Sequence, residues 1–421
     1  MAETTAPHDR PEGVQSGKLV PFRGGPPPRR ERDPRIDLFR GIALVMILID
    51  HMPGNPYEFL TIRNFGFSDA AEAFFVMSGV AAGIAYSGAV ARAMRGEGTL
   101  WSAISPMWSR AWTLYLTQIL LTVVAMALFA WAADTFLRGE FRIWHNLGLM
   151  YARTSEALLG LALLTYQIGY VNILPAYTVL LVVAPLVIAL GLWAPRLTLV
   201  LSLAVWMAGG LWDWNIPNHP GGGGWFFAPT SWQAVFVLGL MIGIRHRDGA
   251  RLVPVSRPLF GLAAGFLALV LAWRFVPGLG PALNHKMAQA GALGVPDVFV
   301  SHNKTYLGLP RLLHVMALAY VISCIPAIRS WSAHPGLRVL RLLGQQGLLV
   351  FALGTVLALC GQILMEVEPD VTWLPWAVPP VAVALSVAAA WVRDRAGRPA
   401  TPRPPRVPVS KTSPMAMSAE R

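Results

Sequence analysis

The chain has 421 residues, 55% of them hydrophobic and only 13% charged, with 39 glycines and 16 tryptophans. That balance reads as an integral membrane protein rather than a soluble one. The formal net charge is +12, but the cations lie beside apolar segments without an interleaved aromatic platform, so a nucleic-acid reading is the weaker one.

Residues 1–35 are rich in Pro, Gly, Ser and Arg, and too poor in apolar surface to offset the entropy of ordering. They read as a disordered basic tail, as do residues 394–421. Ten apolar stretches lie between them, at 38–51, 69–87, 110–133, 173–193, 197–211, 232–246, 257–276, 310–328, 346–366 and 373–392. The expected fold is an all-α polytopic membrane protein of about ten transmembrane helices, with residues 36–393 as one integral membrane domain. Several stretches fall short of the ~20 residues a full span needs, so their ends must reach into polar sequence or sit in thinned bilayer. Residues 156–168 have the length of an interfacial or re-entrant segment.

Charge sets the expected orientation. With ten spans, one set of connections carries Arg92, Arg95, Arg196, Arg245, Arg247, Arg251, Arg257, Arg329, Arg338 and Arg341, and both basic tails share that side. The positive-inside rule then makes both termini cytoplasmic. The first apolar segment starts too late for a cleaved signal peptide. Cys324 and Cys360 fall within expected spans as packing residues, and make neither a disulfide framework nor a zinc site. The histidines are scattered without ligand spacing, so no metal is implied.

The first span reads Asp37-Leu-Phe-Arg40-Gly-Ile-Ala-Leu-Val-Met-Ile-Leu-Ile-Asp50-His51. On a helix Arg40 and His51 share a face, roughly 16 Å apart along the axis. Ionisable groups in a membrane helix are costly and usually face an interior cavity. A guanidinium below and an imidazole above suit a long anionic ligand, its phosphates held at one end and its tip worked on at the other. Asp50 points about 100° away from His51 on an ideal helix.

Next comes Gly66-Phe67-Ser68-Asp69-Ala-Ala-Glu72-Ala-Phe-Phe-Val-Met-Ser78-Gly79. Ser68 and Asp69 can cap the second helix, and Glu72 lies one turn in. A carboxylate near an imidazole could orient it and raise its basicity, which makes Glu72, or Asp69, a candidate partner for His51. The plainer alternative is a capping box of the Ser-x-x-Glu kind displaced by one residue.

These segments resemble a known family. An Arg-x10-His first span, followed by Phe74-Phe75-Val76-Met77-Ser78-Gly79, is similar to the membrane-bound acyltransferase 3 superfamily. Asp37-x-x-Arg40-Gly41, Asp50-His51-x-Pro53, Gly66 to Glu72 and Leu312-Leu313-His314-x-x-Ala317 resemble its OpgC branch more closely. The resemblance covers roughly residues 33–392 and is strongest over 35–80. It implies a ten-span enzyme of the bacterial inner membrane that moves an acyl group, succinyl by family habit, from cytoplasmic acyl-CoA to hydroxyls of a periplasmic glucan or other envelope carbohydrate. Acyl-CoA is then a co-substrate, and no cofactor is bound permanently.

One departure concerns the donor grip. Many members of the superfamily carry Arg-x-x-Arg at the start of span three, whereas this chain reads Met107-Trp-Ser-Arg110-Ala-Trp, with Arg110 alone. Arg110 is either a CoA contact or a snorkelling anchor. Arg40, Arg110 and Asp37 are the donor-side candidates. On the acceptor side stand Asp50, Ser68, Arg311, His314 and Lys304. His314 could instead bond a neighbouring helix, and Lys304 could be merely solvated. Asn172, Trp212, Trp214, Trp225 and Trp232 lie at outer boundaries, where the membrane-interface reading leads over sugar stacking.

The expected chemistry is direct attack of a glucan hydroxyl on the thioester with His51 as general base, or else a covalent acyl-histidine. A secondary transporter using the same charges is the rival class, but it predicts paired broken helices in two halves, whereas the ionisable residues concentrate in spans one and two. Expected partners are the lipid bilayer, acyl-CoA and the carbohydrate acceptor. No nucleic acid is expected, and a homo-oligomer is left open.

Overall fold

The computed structural model describes residues 33–397. The chain divides after Asp33, and everything below concerns the unit that begins at Pro34. The tail expectations for 1–32 and 398–421 lie outside the described residues, while residues 34–35 and 394–396 are helical.

Sixteen α-helices occur among the described residues, and no β-strand. The first eight are α1 (Pro34–Asp50), α2 (Ala70–Met94), α3 (Leu100–Thr135), α4 (Gly148–Ala152), α5 (Thr154–Ala162), α6 (Ile173–Trp193), α7 (Pro195–Leu211) and α8 (Pro229–Arg247). The rest are α9 (Arg257–Phe275), α10 (Leu279–Ala292), α11 (Asp297–Val300), α12 (Leu309–Cys324), α13 (Pro326–Ala333), α14 (Arg338–Gln345), α15 (Gly347–Val367) and α16 (Leu374–Ala396). Proline stands at one of the first two positions of α7, α8, α9, α12, α13 and α16, where its missing N–H breaks no helical hydrogen bond.

All ten apolar stretches fall on helices, but they are not equivalent. Among the described residues six helices are long and apolar enough to cross a membrane: α2, α3, α6, α9, α15 and α16. A seventh results if α12 and α13 form one broken span, bent by 80°. The stretch 310–328 is therefore not one straight helix. Pro326 forces Ile325 into an extended conformation (φ −93°, ψ 107°), and α12 ends at Cys324. Residues 156–168 give only the nine-residue α5 followed by a turn.

Close approach of small residues builds the frame. A Cβ on Gly79 of α2 would sit 2.1 Å from the Phe236 carbonyl oxygen of α8, and one on Gly239 would sit 2.1 Å from that of Val76. The two backbones touch, as small-residue faces allow between membrane helices. The same device locks α1 to α14: a Cβ on Gly41 would lie 1.9 Å from the Leu340 oxygen, and one on Gly344 1.9 Å from the Asp37 oxygen. Large apolar side chains such as Leu120, Leu186 and Leu262 face outward, as a lipid-facing belt requires. Cys324 is half-buried and Cys360 exposed, so Cys360 is not the packing residue its position suggested.

Candidate functional site

A cavity of about 960 Å³ opens where α1 ends, α2 begins and the loop before α12 crosses between them. His51, Asp50, Asp69, Lys304 and Arg311 all line it. Five of the residues singled out from sequence are thus brought together from three separate segments.

His51 stands one residue beyond α1, and its N–H still donates to the Ile47 carbonyl at 3.0 Å. Its carbonyl accepts from Gln362 Nε2 of α15. The ring meets Tyr170 edge-on, with centroids 4.9 Å apart. Nδ1 is buried without a hydrogen-bond partner, so Nε2 is the nitrogen left to meet a reactant. Asp50 turns away, as the helix geometry predicts. It accepts from Thr61 Oγ at 2.8 Å and has Arg63 at 3.9 Å.

Asp69 caps α2 by accepting from the Ala71 N–H at 2.8 Å, while Glu72 Oε2 accepts from the Asp69 N–H at 2.9 Å. This is a reciprocal capping box in true register, Asp69-x-x-Glu72, not one displaced to Ser68. Glu72 is wholly buried and does not line the cavity. Its other oxygen accepts from Arg311 Nε at 2.7 Å. Arg311 also donates to Asp69 at 3.1 Å, and Lys304 Nζ reaches the same Asp69 oxygen at 2.6 Å. Two carboxylates and two cations form one network joining α2, α12 and the loop between α11 and α12. Glu72 is therefore the partner of Arg311, and the expectation that it orients His51 is corrected.

Ser68 and His314 are also brought together, behind the cavity wall. The Ser68 N–H donates to His314 Nδ1 at 3.3 Å, and Ser68 Oγ lies 2.6 Å from the same nitrogen. Since a backbone amide only donates, Nδ1 accepts and Nε2 carries the proton. Both residues are buried and neither lines the cavity, so the pair fastens α2 to α12 instead of meeting a substrate as expected. Lys304 is not a solvated lysine. It is held by Asp69, lies 5.6 Å from the Phe227 ring, and its carbonyl accepts from Trp232 Nε1 at 2.9 Å. Trp232 and Trp225 are buried within the protein, which corrects the interface reading for both, whereas Trp212 and Trp214 are exposed.

The donor-side candidates lie elsewhere. Arg40 donates to the carbonyls of Gly344 at 3.3 Å and Met77 at 3.4 Å, with Asp37 at 4.0 Å. Asp37 also accepts from Gln345 at 3.2 Å. Arg110 stands part-exposed on α3. The cavity reaches down to Ile47 and Phe351, and neither Arg40, Asp37 nor Arg110 lines it.

Sequence reading missed several neighbours. Tyr170 and His145 both have positive φ, 64° and 54°, a rare state for such side chains and one that clusters at functional sites. Their rings meet edge-on at 5.0 Å, and His145 Nε2 lies 2.6 Å from Gln362 Oε1. Burial holds the His145 imidazole below its usual range, against the opposing effect of Gln362. His302 on the cavity wall is likewise pushed down, by burial first and then by Arg311 and Arg274. Among the described residues no group of three or more His, Cys, Asp or Glu could hold a metal.

An all-helical membrane bundle with an ionisable cavity at the ends of its helices is the architecture of a membrane-embedded enzyme or carrier. The OpgC protein family matches residues 32–398, nearly the whole chain, and the protein belongs to that family. Membership places it, at the coarse level, among membrane-associated acyltransferases that modify glucans. No curated protein and no solved structure matches it.

Proposed function

We propose that the protein is an acyl-CoA-dependent O-acyltransferase, moving a succinyl group from cytoplasmic succinyl-CoA to hydroxyls of a periplasmic glucan or related envelope carbohydrate. It crosses the bacterial inner membrane ten times with both termini in the cytoplasm, an arrangement supported by the distribution of Arg between its connections. The observation that carries the reading is His51, which lines a large cavity with Nδ1 buried and Nε2 left to meet a reactant, eleven residues on from Arg40.

CoA phosphates bind at the cytoplasmic end through Arg40 and Arg110, with Asp37 and Gln345 holding the α1–α14 seam. Arg40 lies two turns, about 10 Å, below the cavity floor at Ile47. Leu44 is buried between them, so the pantetheine arm enters when the seam between α1 and α15 parts. In the cavity, neutral His51 takes the proton of a glucan hydroxyl as the oxygen attacks the thioester carbonyl. The tetrahedral intermediate collapses, the C–S bond breaks, and CoA thiolate leaves and takes up the proton. Lys304 and Arg311, both held in place by Asp69, stand at the wall as donors for the oxyanion.

The test is purified protein in detergent with labelled succinyl-CoA and glucan oligosaccharides. Labelled ester on the glucan supports the proposal. Movement of a solute across sealed vesicles without thioester loss would overturn it in favour of a carrier.

A further inference from the structure

The cavity has a second wall, formed by the end of α9 and the start of α10, that the chemistry at His51 does not use. Trp273, Arg274, Gly280, Asn284 and His302 line it. The indole of Trp273 is held from two directions. Phe67 meets it edge-on at 5.2 Å, and its Nε1 donates to Asn284 Oδ1 at 3.2 Å. The approach of α10 depends on Gly280, where a Cβ would lie 2.7 Å from the Trp273 carbonyl oxygen.

Polar groups remain available around this fixed ring. Arg274 spends Nε and one terminal nitrogen on the carbonyls of Asn64 and Arg63, at 3.3 and 2.9 Å, which leaves Nη1 to donate. Asn284 spends its oxygen on Trp273 and keeps its amide nitrogen. His302 packs on Phe67 at 4.4 Å and completes the wall. A rigid aromatic surface flanked by planar donors suits a ring that has apolar C–H faces and a rim of hydroxyls. Trp212, Trp214, Trp373 and Trp376, also at helix ends, stand exposed and do not line the cavity. Trp273 alone among these five faces the reaction chamber.

We propose that Trp273, with Arg274 and Asn284, forms the sugar subsite that seats a neutral hexose ring of the acceptor beside His51. Trp273 stacks on the ring and the two polar side chains bond its hydroxyls. This assignment rests on the acyltransferase reading. It makes α10 an acceptor-binding element and leaves donor binding to α1 and α3.

The experiment measures transfer kinetics with acceptor and donor varied separately, using β-linked glucose oligosaccharides and succinyl-CoA, for wild type, Trp273→Ala and Trp273→Phe. Oligosaccharide binding without donor is followed in parallel by calorimetry. Trp273→Ala should raise the acceptor KM and the calorimetric Kd at least tenfold, with the acyl-CoA KM moving far less. Trp273→Phe, which keeps an aromatic face but not the Nε1 bond, should recover most of the loss. An unchanged acceptor KM in Trp273→Ala overturns the subsite, and so does a rise confined to the donor KM. If Trp273→Ala fails to fold, Trp273→Leu and Asn284→Ala decide: wild-type acceptor affinity in both overturns it. Wild-type protein that binds the oligosaccharide but transfers nothing overturns the acyltransferase reading and leaves the subsite standing. Wild-type protein that binds no oligosaccharide overturns the subsite itself.

Discussion

Glu72 of α2 and Arg311 of α12, 239 residues apart in the chain, meet as a buried ion pair, with Glu72 Oε1 2.7 Å from Arg311 Nε. The pair closes a loop of charge. Arg311 also reaches Asp69, Asp69 holds Lys304, and the Lys304 carbonyl accepts from buried Trp232. The network fixes which face of α12 turns to the cavity and holds Lys304 at the wall.

Removing one partner of such a pair strands a charge in a medium that does not solvate it. Arg311→Ala should therefore lower stability by ~3–5 kcal/mol, the usual cost of breaking a buried pair. Glu72→Gln keeps the size, but its one oxygen can accept from only one of the Asp69 N–H and Arg311 Nε, and Arg311 is left paired with Asp69. The double variant removes both charges and should lose less than the sum of the two single changes. Thermal unfolding in detergent reads this directly, and strictly additive losses would show that the two side chains act apart.

His51→Ala should abolish transfer while leaving the melting profile near wild type, since the side chain makes only a ring contact with Tyr170 and no hydrogen bond among the described residues. Loss of a general base lowers kcat by ~10²–10⁴-fold. Turnover within a few-fold of wild type would remove His51 from the chemistry.

The reach and the failure of sequence reading trace to the same cause. Arg40 lies on α1 with His51 one residue past its end, and Asp69 caps the next helix with Glu72 in its first turn, so period and spacing were enough to find them. What Glu72 faces is a tertiary matter. Arg311 was a candidate in its own right, but nothing in either segment says that α12 lies against the start of α2. Tyr170, His145 and Gln362 carry no local pattern, and two of them sit in left-handed turns that no spacing rule encodes. The break at Pro326 was legible from the proline itself, but continuous hydrophobicity across 310–328 hid it.

Arg40→Ala or Arg110→Ala should raise the KM for acyl-CoA by about tenfold to a hundredfold, the range for one lost charge-assisted contact. The acceptor KM should stay put. Arg40 also stands 4.0 Å from the buried Asp37 carboxylate, so the variant's melting profile is read beside its kinetics. A change in the acceptor KM with the donor KM unmoved would reverse the assigned ends of the reaction.

Gln362 should behave as a positioning residue for His51. Its amide must donate to the His51 carbonyl, because a carbonyl can only accept. That orientation turns Oε1 toward His145, so His145 Nε2 carries the proton in the 2.6 Å contact between them. One side chain thus ties the last turn of α1 to the loop that carries His145, and Tyr170 packs edge-on against both imidazoles. Gln362→Leu keeps bulk and removes both bonds. The end of α1 then loses a fixed point, and His51 should sample orientations in which Nε2 misses the acceptor hydroxyl. Misplacement of this kind lowers kcat, by roughly 10²-fold for a displacement of about 1 Å, without weakening donor binding. Adding His145→Ala to Gln362→Leu should cost little more, since the two act through one bridge. Steady-state kinetics on the two single variants and the double variant make the test, with kcat and the acyl-CoA KM read separately. A rise in KM with kcat intact would mean that Gln362 shapes the donor path instead, and losses that multiply in the double variant would mean that His145 acts on its own.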